Sequence, residues 1–272
     1  MRQVVKLGLG TTQFWHGGDS ETRRVFYDAY KNYGINVIDT AEMYGYGQCE
    51  KEVAEIIEVL GRENLYIIDK ILPENVTEEH FNRSLRKSLE LLKTDYIDLF
   101  LLHWRADCDL NILVRKMEAA KSAGLIREWG VSNFDVSDME NLLKVENGDR
   151  CYANEIMYNV FYRGIEYDLL PYLKQKGIMP ISYSTLDTRE NRRKLYDIPE
   201  IASLMQQQGI NAEALLLAFA MKQDNLLALF NTRSTQHLAD NMQCLEIDIK
   251  PYLDLLDRFF PAPRKKVPLE KR

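Results

Sequence analysis

The sequence predicts a single α/β domain built as a closed (β/α)8 barrel, the TIM-barrel fold. Short apolar and β-branched runs alternate with amphipathic stretches along the 272 residues, which is typical of parallel strands joined by crossover helices. Eight such runs favour a closed barrel over an open sheet. A chain of this length with 46% hydrophobic residues can bury one large core. We expect the barrel to occupy residues 1–260 and a tail to occupy residues 261–272.

The predicted strands follow one another in chain order, each ahead of a helical pattern. They begin near Val5–Gly10, Asn36–Asp39, Leu65–Ile68, Tyr96–Leu101, Glu128–Val131, Ala153–Ile156, Met179–Ser182 and Leu226–Phe230. The tail, Pro261–Pro268, is proline-rich and basic, which favours an extended strap or a disordered end.

Spacing and capping residues support the helices between these strands. Two stretches each place four large apolar residues on one helical face, namely Val53, Ile56, Ile57 and Leu60, and Phe81, Leu85, Leu89 and Leu92. Asp135 is suited to cap a helix N-terminus. Three glycines follow helical stretches, where a left-handed residue is favoured: Gly124, Gly177 and Gly209.

Composition excludes some classes of function. A net charge of −6 and a pI near 5.4 offer no electrostatic footprint for nucleic acid or an anionic membrane. The four cysteines are scattered without a CxxC pair, which indicates reduced thiols. No signal-peptide pattern and no apolar run of roughly 20 residues is present. We expect a cytoplasmic protein.

Four polar residues follow three successive predicted strands. Asp39, Lys70 and His103 end the second, third and fourth strands, and Tyr44 lies in the loop after Asp39. A βα barrel gathers such residues on one rim, where barrel active sites lie. Tyr44 can donate a proton to a carbonyl oxygen, and an ammonium at Lys70 would lower the pKa of the phenol. Asp39 can keep Lys70 protonated, and His103 can hydrogen-bond the substrate oxygen or relay a proton.

Each residue also has an ordinary structural interpretation. A lone Asp or Lys at a strand end is more often a loop-anchoring ion pair, and a lone buried His is usually a satisfied core residue. All four residue types in consecutive βα units are less readily explained as a coincidence of such structural roles. A metal hydrolase is the rival chemistry, but the other histidines, His16, His80 and His237, form no His-x-His pair. We expect no metal.

At these residues the chain resembles the aldo-keto reductase family, from about Lys6 to Ile249. The segments that carry the resemblance are Gly8–Thr11, Asp39–Gly45, Asp95–Trp104, Gly124–Asn133 and Tyr183–Leu186. The resemblance implies a (β/α)8 barrel that reduces aldehydes and ketones with a nicotinamide cofactor, with Tyr44 as proton donor. The Glu-Met-Tyr loop and Gly164–Pro171 look similar to bacterial members that act on small reactive aldehydes such as methylglyoxal.

The resemblance also implies positions for the cofactor. Ser132 and Asn133 match the pair that binds the carboxamide, and Tyr183 matches the ring that stacks on the nicotinamide. Further positions resemble those along the ribose, pyrophosphate and adenosine: Gly10, Thr11, Ser184, Leu186, Arg233, Ser234, His237, Asp240 and Asn241. Four aromatic residues are candidates for the substrate pocket: Phe14, Trp15, Tyr46 and Trp104.

The chain departs from the family pattern in three places. Glu155 stands where the family usually has glutamine, so one carboxamide contact is lost or a protonated Glu is needed. Asn231 and His237 replace basic residues near the adenosine 2′-phosphate, which leaves Arg233 and a helix N-terminus capped by Ser234 or Thr235. The family's N-terminal hairpin, which plugs the barrel floor, is expected to be short or missing.

The leading hypothesis is NADPH-dependent reduction of small aldehydes and ketones, with NADPH narrowly ahead of NADH. The alternative is a nicotinamide-binding barrel with little turnover that acts as a redox-sensing or interaction protein. The partner is then a small carbonyl substrate, with no nucleic acid and no membrane. We expect a monomer, with a dimer left open.

Overall fold

A computed structural model describes residues 6–271 and forms a closed barrel of eight parallel strands. The (β/α)8 prediction is confirmed, and each of the eight predicted strands is found within a few residues of its expected place. The strands are β1 (Leu7–Gly10), β2 (Val37–Asp39), β3 (Tyr66–Ile71), β4 (Ile97–Leu102), β5 (Ile126–Ser132), β6 (Ala153–Met157), β7 (Met179–Tyr183) and β8 (Leu227–Phe230). The barrel closes where β1 pairs with β8, with Leu7 opposite Ala228.

Helices surround the barrel and connect its strands. Those within residues 6–271 are α1 (Ser20–Tyr33), α2 (Gln48–Leu60), α3 (Phe81–Leu91), α4 (Leu110–Ser122), α5 (Val136–Leu143), α6 (Leu169–Lys176), α7 (Arg189–Tyr196), α8 (Pro199–Gln208), α9 (Ala212–Met221), α10 (Thr235–Met242) and α11 (Lys250–Phe259). One helix follows each of β1 to β6, three lie between β7 and β8, and two follow β8.

The predicted helix faces and caps agree with the structure. The apolar faces of α2 and α3 are buried apart from a partly exposed Leu60. Asp135 accepts from the Asp138 backbone N–H while the Asp138 side chain accepts from Asp135, so the two form a capping box. Gly177 and Gly209 end α6 and α8 in the left-handed conformation, and Gly124 has a positive φ just beyond α4.

The barrel interior is a small apolar core separate from the larger core under the helices. It is formed by Val37, Ile68, Leu99, Leu101, Ala153, Ile181, Leu227 and Leu229. Glycine at position 8 makes this packing fit, because a Cβ there would lie 2.8 Å from Leu229 and 3.0 Å from Val37. Tyr66 and Met179 pack below this layer. They cover part of the barrel floor, whereas the expected short or missing hairpin concerns residues 1–5, which lie outside the described residues.

The C-terminal segment lies along the β6 side of the barrel without helix or strand. Lys266 approaches Asp168 at 3.7 Å, and Leu269 packs against the main core. A Cβ at Gly164 would meet Val267 at 2.7 Å, so the segment passes close to this loop. These contacts favour the extended strap of the two expected forms. The boundary at residue 260 stays a prediction.

Candidate active site

The polar residues of the barrel lie one layer above its apolar interior. Side chains alternate between the two faces of a strand, so residues two apart point the same way. Asp39, Lys70 and Glu155 each come two residues after an interior residue, namely Val37, Ile68 and Ala153. The same spacing places His103 above Leu101 and Tyr183 above Ile181. Strand register alone therefore brings these five residues to the C-terminal mouth of the barrel.

Lys70 is the buried centre of this layer. Its Nζ lies 2.5 Å from Asp39 Oδ2 and 3.4 Å from Glu155 Oε1, and it donates to the Thr40 carbonyl oxygen at 3.2 Å. Burial alone would lower the pKa of Lys70, but the two carboxyls raise it above its ordinary value. The surroundings therefore favour a charged ammonium at this point, and Glu155 is a second partner that the sequence did not show.

Tyr44 sits on a tight turn beside this charge. Gly45 adopts a φ of +57°, and a Cβ there would meet the Trp15 carbonyl oxygen at 2.5 Å, so only glycine fits. Lys70 Nζ lies 5.2 Å from the centre of the Tyr44 ring. Burial raises the pKa of Tyr44, and the opposing effect of Lys70 is smaller. Lys70 thus acts on this pKa in the expected direction, but desolvation of the phenol outweighs the ammonium.

His103 directly follows β4 and lies next to Tyr44. The two rings meet edge to face with centroids 5.6 Å apart. Burial, followed by repulsion from Lys70, lowers the pKa of His103 to about 3. The imidazole is therefore neutral at physiological pH. It is suited to hydrogen-bond an oxygen rather than to carry a proton as imidazolium, which favours the first of its two predicted roles.

Ser132, Asn133 and Tyr183 form a hydrogen-bonded wall at the same mouth of the barrel. Tyr183 donates its hydroxyl to Asn133 Oδ1 at 2.7 Å. Asn133, at a φ of +60°, donates from Nδ2 to Ser132 Oγ and to the His103 carbonyl oxygen. Ser132 in turn donates to the Glu155 carbonyl oxygen at 2.9 Å. These contacts hold the hydroxyl, amide and ring of the predicted nicotinamide subsite in fixed positions.

A cleft of about 1010 Å³ runs from this wall to the start of α10. The predicted residues that line it are Gly10, Asp39, Tyr44, His103, Trp104, Ser132, Asn133, Glu155, Tyr183, Ser184, Leu186, Arg233, His237, Asp240 and Asn241. Lys70 lies beneath the cleft, within ion-pairing distance of Asp39 and Glu155 and 5.2 Å from the centre of the Tyr44 ring. The structure thus brings together both groups of candidates, those for chemistry and those for the cofactor.

The far end of the cleft is formed by the exit of β8. Ser234 caps α10 by accepting from the His237 backbone N–H, as predicted, although its own side chain is not part of the cleft wall. Arg233 is exposed and donates to the Gln13 carbonyl oxygen at 3.0 Å. Asn231 donates to Thr12 Oγ1 at 2.5 Å and so links the ends of β8 and β1 across the rim.

Besides Lys70 and Ser234, four predicted site residues do not line the cleft. Phe14 is fully buried and stacks on Phe26 with centroids 5.4 Å apart, so it belongs to the core. Thr11 is also fully buried. Tyr46 is 87% exposed, because the positive φ of the turn directs it away from the cleft towards solvent, where it contacts Trp15. Trp15 itself lies 6.2 Å from the Tyr44 ring and stays beside the site without being a wall residue.

The sequence did not reveal several wall residues, namely Thr12, Met43, Thr185, Asp187, Arg189, Arg192, Asn211 and Glu213. Arg192 pairs with Glu213 at 2.9 Å across α7 and α9. The three arginines in the run 188–193 after β7 were a usable signal, since a basic run after a barrel strand indicates an anion-binding rim.

The cysteines form no disulfide among residues 6–271. Cys49, Cys108, Cys151 and Cys244 are free thiols and buried. Among residues 6–271, no group of three or more His, Cys, Asp or Glu side chains is placed to hold a metal ion. In the same range no helix has the length and apolar character needed to cross a bilayer.

A closed parallel barrel with a tyrosine, a lysine, a histidine and a carboxylate at its C-terminal mouth defines a barrel oxidoreductase. The aldo/keto reductase family model matches residues 6–253, and the chain belongs to this family. It is 34% identical to methylglyoxal reductase YeaE of Escherichia coli K12 over 97% of this chain and 94% of that protein.

Two solved structures from Klebsiella pneumoniae share the fold closely. An aldo/keto reductase in complex with NADP and acetate superposes with a TM-score of 0.91 at 35% identity, covering 99% of this chain and 96% of that one. An aldo-keto reductase in complex with NADPH gives a TM-score of 0.91 at 34% identity, covering 99% of this chain and 95% of that one.

Proposed function

We propose that the protein reduces small aldehydes and ketones to alcohols with NADPH, with Tyr44 as the proton donor. The observation that carries this proposal is the meeting of Tyr44, His103 and Asp39 at one end of the cleft, with Lys70 beneath them. The related proteins support the substrate and cofactor classes, because they include a methylglyoxal reductase and NADP-bound and NADPH-bound structures.

The residues of the cleft suit a nicotinamide dinucleotide. The wall at Ser132, Asn133 and Tyr183 offers hydroxyl, amide and ring groups at one end. The other end offers Arg233 and the N-terminal turn of α10, both of which favour phosphate. The bound cofactor would supply the hydride.

The chain's own residues would then hydrogen-bond the substrate oxygen and donate a proton to it. A carbonyl oxygen at the mouth would accept hydrogen bonds from Tyr44 and from neutral His103. Tyr44 keeps its proton in the resting protein because burial raises its pKa. Lys70 stabilises the phenolate as the proton leaves, and Asp39 holds Lys70 charged. Met43 and Trp104 line the cleft and would exclude water.

Titration of the purified protein with NADPH and NADH, followed by a panel of aldehydes that includes methylglyoxal, tests the proposal. Loss of absorbance at the reduced nicotinamide band would report turnover. We expect turnover with small aldehydes and tighter binding of NADPH than of NADH. Binding without turnover would favour the redox-sensing alternative, and the absence of binding would overturn both. The cytoplasmic location and the monomeric state stay predictions, the latter open to light scattering.

A further inference from the structure

Three ionisable side chains meet at the floor of the cleft, and their charges do not balance if all three are ionised. Asp39 and Glu155 would carry two negative charges, whereas Lys70 carries one positive charge. All three are more than nine-tenths buried. A buried charge without a partner is strongly disfavoured, so a carboxyl group takes up a proton instead. The geometry therefore calls for one proton shared by the two carboxyls.

The distances from Lys70 Nζ to the two carboxyls indicate which carboxyl holds the shared proton. Lys70 Nζ is 2.5 Å from Asp39 and 3.4 Å from Glu155, so the ammonium stabilises a carboxylate at Asp39 more strongly. Asp39 and Glu155 also lie within hydrogen-bonding reach of each other, a contact that requires a proton between them. No N–H or O–H group in residues 6–271 donates to Glu155 Oε2.

We propose that Glu155 holds a proton at neutral pH, shared with Asp39, and that loss of this proton shifts the preference of the cleft from reduced towards oxidised nicotinamide cofactor. The proposal rests on the proposed function, because it concerns the same cofactor. It differs in naming Glu155 as the residue that links cofactor redox state to pH.

Among the described residues that face Glu155 from the other strands, Lys70 is the one that carries a positive charge. Tyr44 from the loop after β2 and His103 just after β4 are uncharged at neutral pH. Ser132 from β5 and Tyr183 from β7 are polar neighbours, and β1 and β8 contribute Gly10 and Leu229. Burial raises the pKa of Glu155 well above its usual range, Asp39 raises it further, and Lys70 opposes both.

The link to redox state follows from ligand charge. An oxidised nicotinamide ring is positively charged, and a reduced ring is neutral. With the shared proton in place, Asp39, Lys70 and Glu155 carry no net charge together. When the proton leaves, the three side chains carry one net negative charge. This charge attracts the positively charged oxidised ring and does not strengthen binding of the neutral reduced ring. The dissociation constant of NADP+ relative to that of NADPH should therefore fall as pH rises.

Infrared difference spectroscopy of the ligand-free protein tests the proton directly. Wild type minus Glu155→Gln at neutral pH should show the carbonyl band of a protonated carboxylic acid, and loss of a carboxylate band instead would overturn the proposal. Glu50→Gln serves as the matched control, because Glu50 is a buried acid that does not line the cleft. Adding NADP+ should perturb the acid band in wild type and in Glu50→Gln, and no band should respond in Glu155→Gln.

Calorimetric dissociation constants for NADP+ and NADPH test the link. Across the pH range in which the acid band of Glu155 is lost, the ratio of the two constants should fall roughly tenfold in wild type and stay level in Glu155→Gln. A ratio that changes equally in both proteins, or in neither, would overturn the link. Failure of both proteins to bind either cofactor would overturn the proposed function instead, while the infrared result would still decide where the proton lies.

Discussion

Two adjacent residues of β3, Asp69 and Lys70, are both fully buried and point to opposite faces of the barrel wall. Lys70 faces the interior, where it belongs to the inner cluster of Asp39, Lys70 and Glu155. Asp69 faces outwards to α2, where it belongs to an outer cluster with Glu50 and Glu42. The inner cluster has a buried cation at its centre, whereas the outer cluster has, among residues 6–271, only the exposed Lys87 acting on Glu50 from the surface.

The carboxyls of the two clusters ionise differently because only the inner cluster contains a buried cation. Burial raises the pKa of Glu50 to about 7 and raises that of Asp69 well above its usual range. Glu42 is held in place by hydrogen bonds from the Leu72 backbone N–H, Asn75 and Ser84. In the inner cluster, Lys70 opposes the effect of burial on both carboxyls. A buried carboxyl thus keeps its charge only where the fold provides a buried cation.

The difference teaches that burial of acids alone is no sign of an active site. Both clusters contain carboxyls with raised pKa values, yet only the inner one lies at the mouth of the barrel and lines a cleft. Variants of the inner cluster should change turnover and cofactor binding, and variants of the outer cluster should change the free energy of unfolding and its pH dependence.

The largest expected effect comes from Tyr44→Phe. Turnover should fall by roughly 10²–10⁴-fold, because general acid catalysis contributes about that much, while cofactor affinity and stability change little. Steady-state kinetics and calorimetry measure both. Tyr46→Phe is a matched control two residues away, with an exposed ring that should leave turnover unaltered. Turnover of Tyr44→Phe near that of the control would mean that another group donates the proton.

Lys70→Met should make the inner cluster resemble the outer one. Without the ammonium, both carboxyls should be protonated at neutral pH, and stability should fall as pH rises. Breaking a buried ion pair destabilises by roughly 3–5 kcal/mol, reduced here by protonation. Turnover should also fall, and any remaining pH–rate profile should shift to higher pH, because Lys70 lowers the pKa of Tyr44.

Urea unfolding of Lys70→Met at several pH values measures this effect. The double variant Lys70→Met/Glu155→Gln has one titrating carboxyl fewer. It should therefore recover part of the free energy of unfolding that Lys70→Met loses at alkaline pH. A Lys70→Met variant whose stability is independent of pH would show that the ammonium does not govern the carboxyl protons.

Glu50→Gln tests the outer cluster. A raised folded-state pKa means that the folded protein binds more protons than the unfolded chain between the two pKa values, so Glu50 contributes stability below about pH 4.5 that is lost as pH rises to about 7. The shift from 4.5 to about 7 corresponds to about 3 kcal/mol. The variant should therefore be more stable than wild type at pH 8 by up to that amount and show a flatter pH dependence.

Denaturant unfolding between pH 5 and pH 8 checks the Glu50 prediction, with turnover expected to be unchanged. Glu55→Gln, an exposed glutamate on the same helix, is the matched control and should leave the pH dependence as it is in wild type. An identical pH slope in wild type and Glu50→Gln would place the titrating group elsewhere, with Asp69→Asn as the next variant.

The smallest expected effect lies at the solvent-exposed rim. Arg233→Ala should weaken NADPH by roughly tenfold and leave NADH nearly unchanged, since only NADPH carries a 2′-phosphate and an arginine–phosphate contact is worth about 1–3 kcal/mol. Calorimetry on both cofactors measures it, with Arg83→Ala, an exposed arginine of α3, as control. Equal weakening of both cofactors would place Arg233 away from the phosphate, and Arg189 at the opposite wall would be tested next.

Much of the fold and part of the site could be predicted from local pattern. Strand and helix periodicity gave the order of the eight units, and strand ends placed Asp39, Lys70 and His103 on one rim. Most of the aromatic residues predicted for the substrate pocket do not line the cleft. The direction of a side chain in a short loop depends on backbone angles that composition does not reveal. Phe14 is in the core and Tyr46 faces solvent for this reason.

By itself the sequence determined the barrel, because hydrophobic period and strand length are local properties that every residue carries. It also determined which residue types end each strand. Only the tertiary structure decided that Glu155, far along the chain from Lys70, shares its ammonium with Asp39, and that burial outweighs this ammonium at Tyr44. Ionisation depends on desolvation and on charges a few ångströms away, and both exist only once distant strands have closed into a barrel.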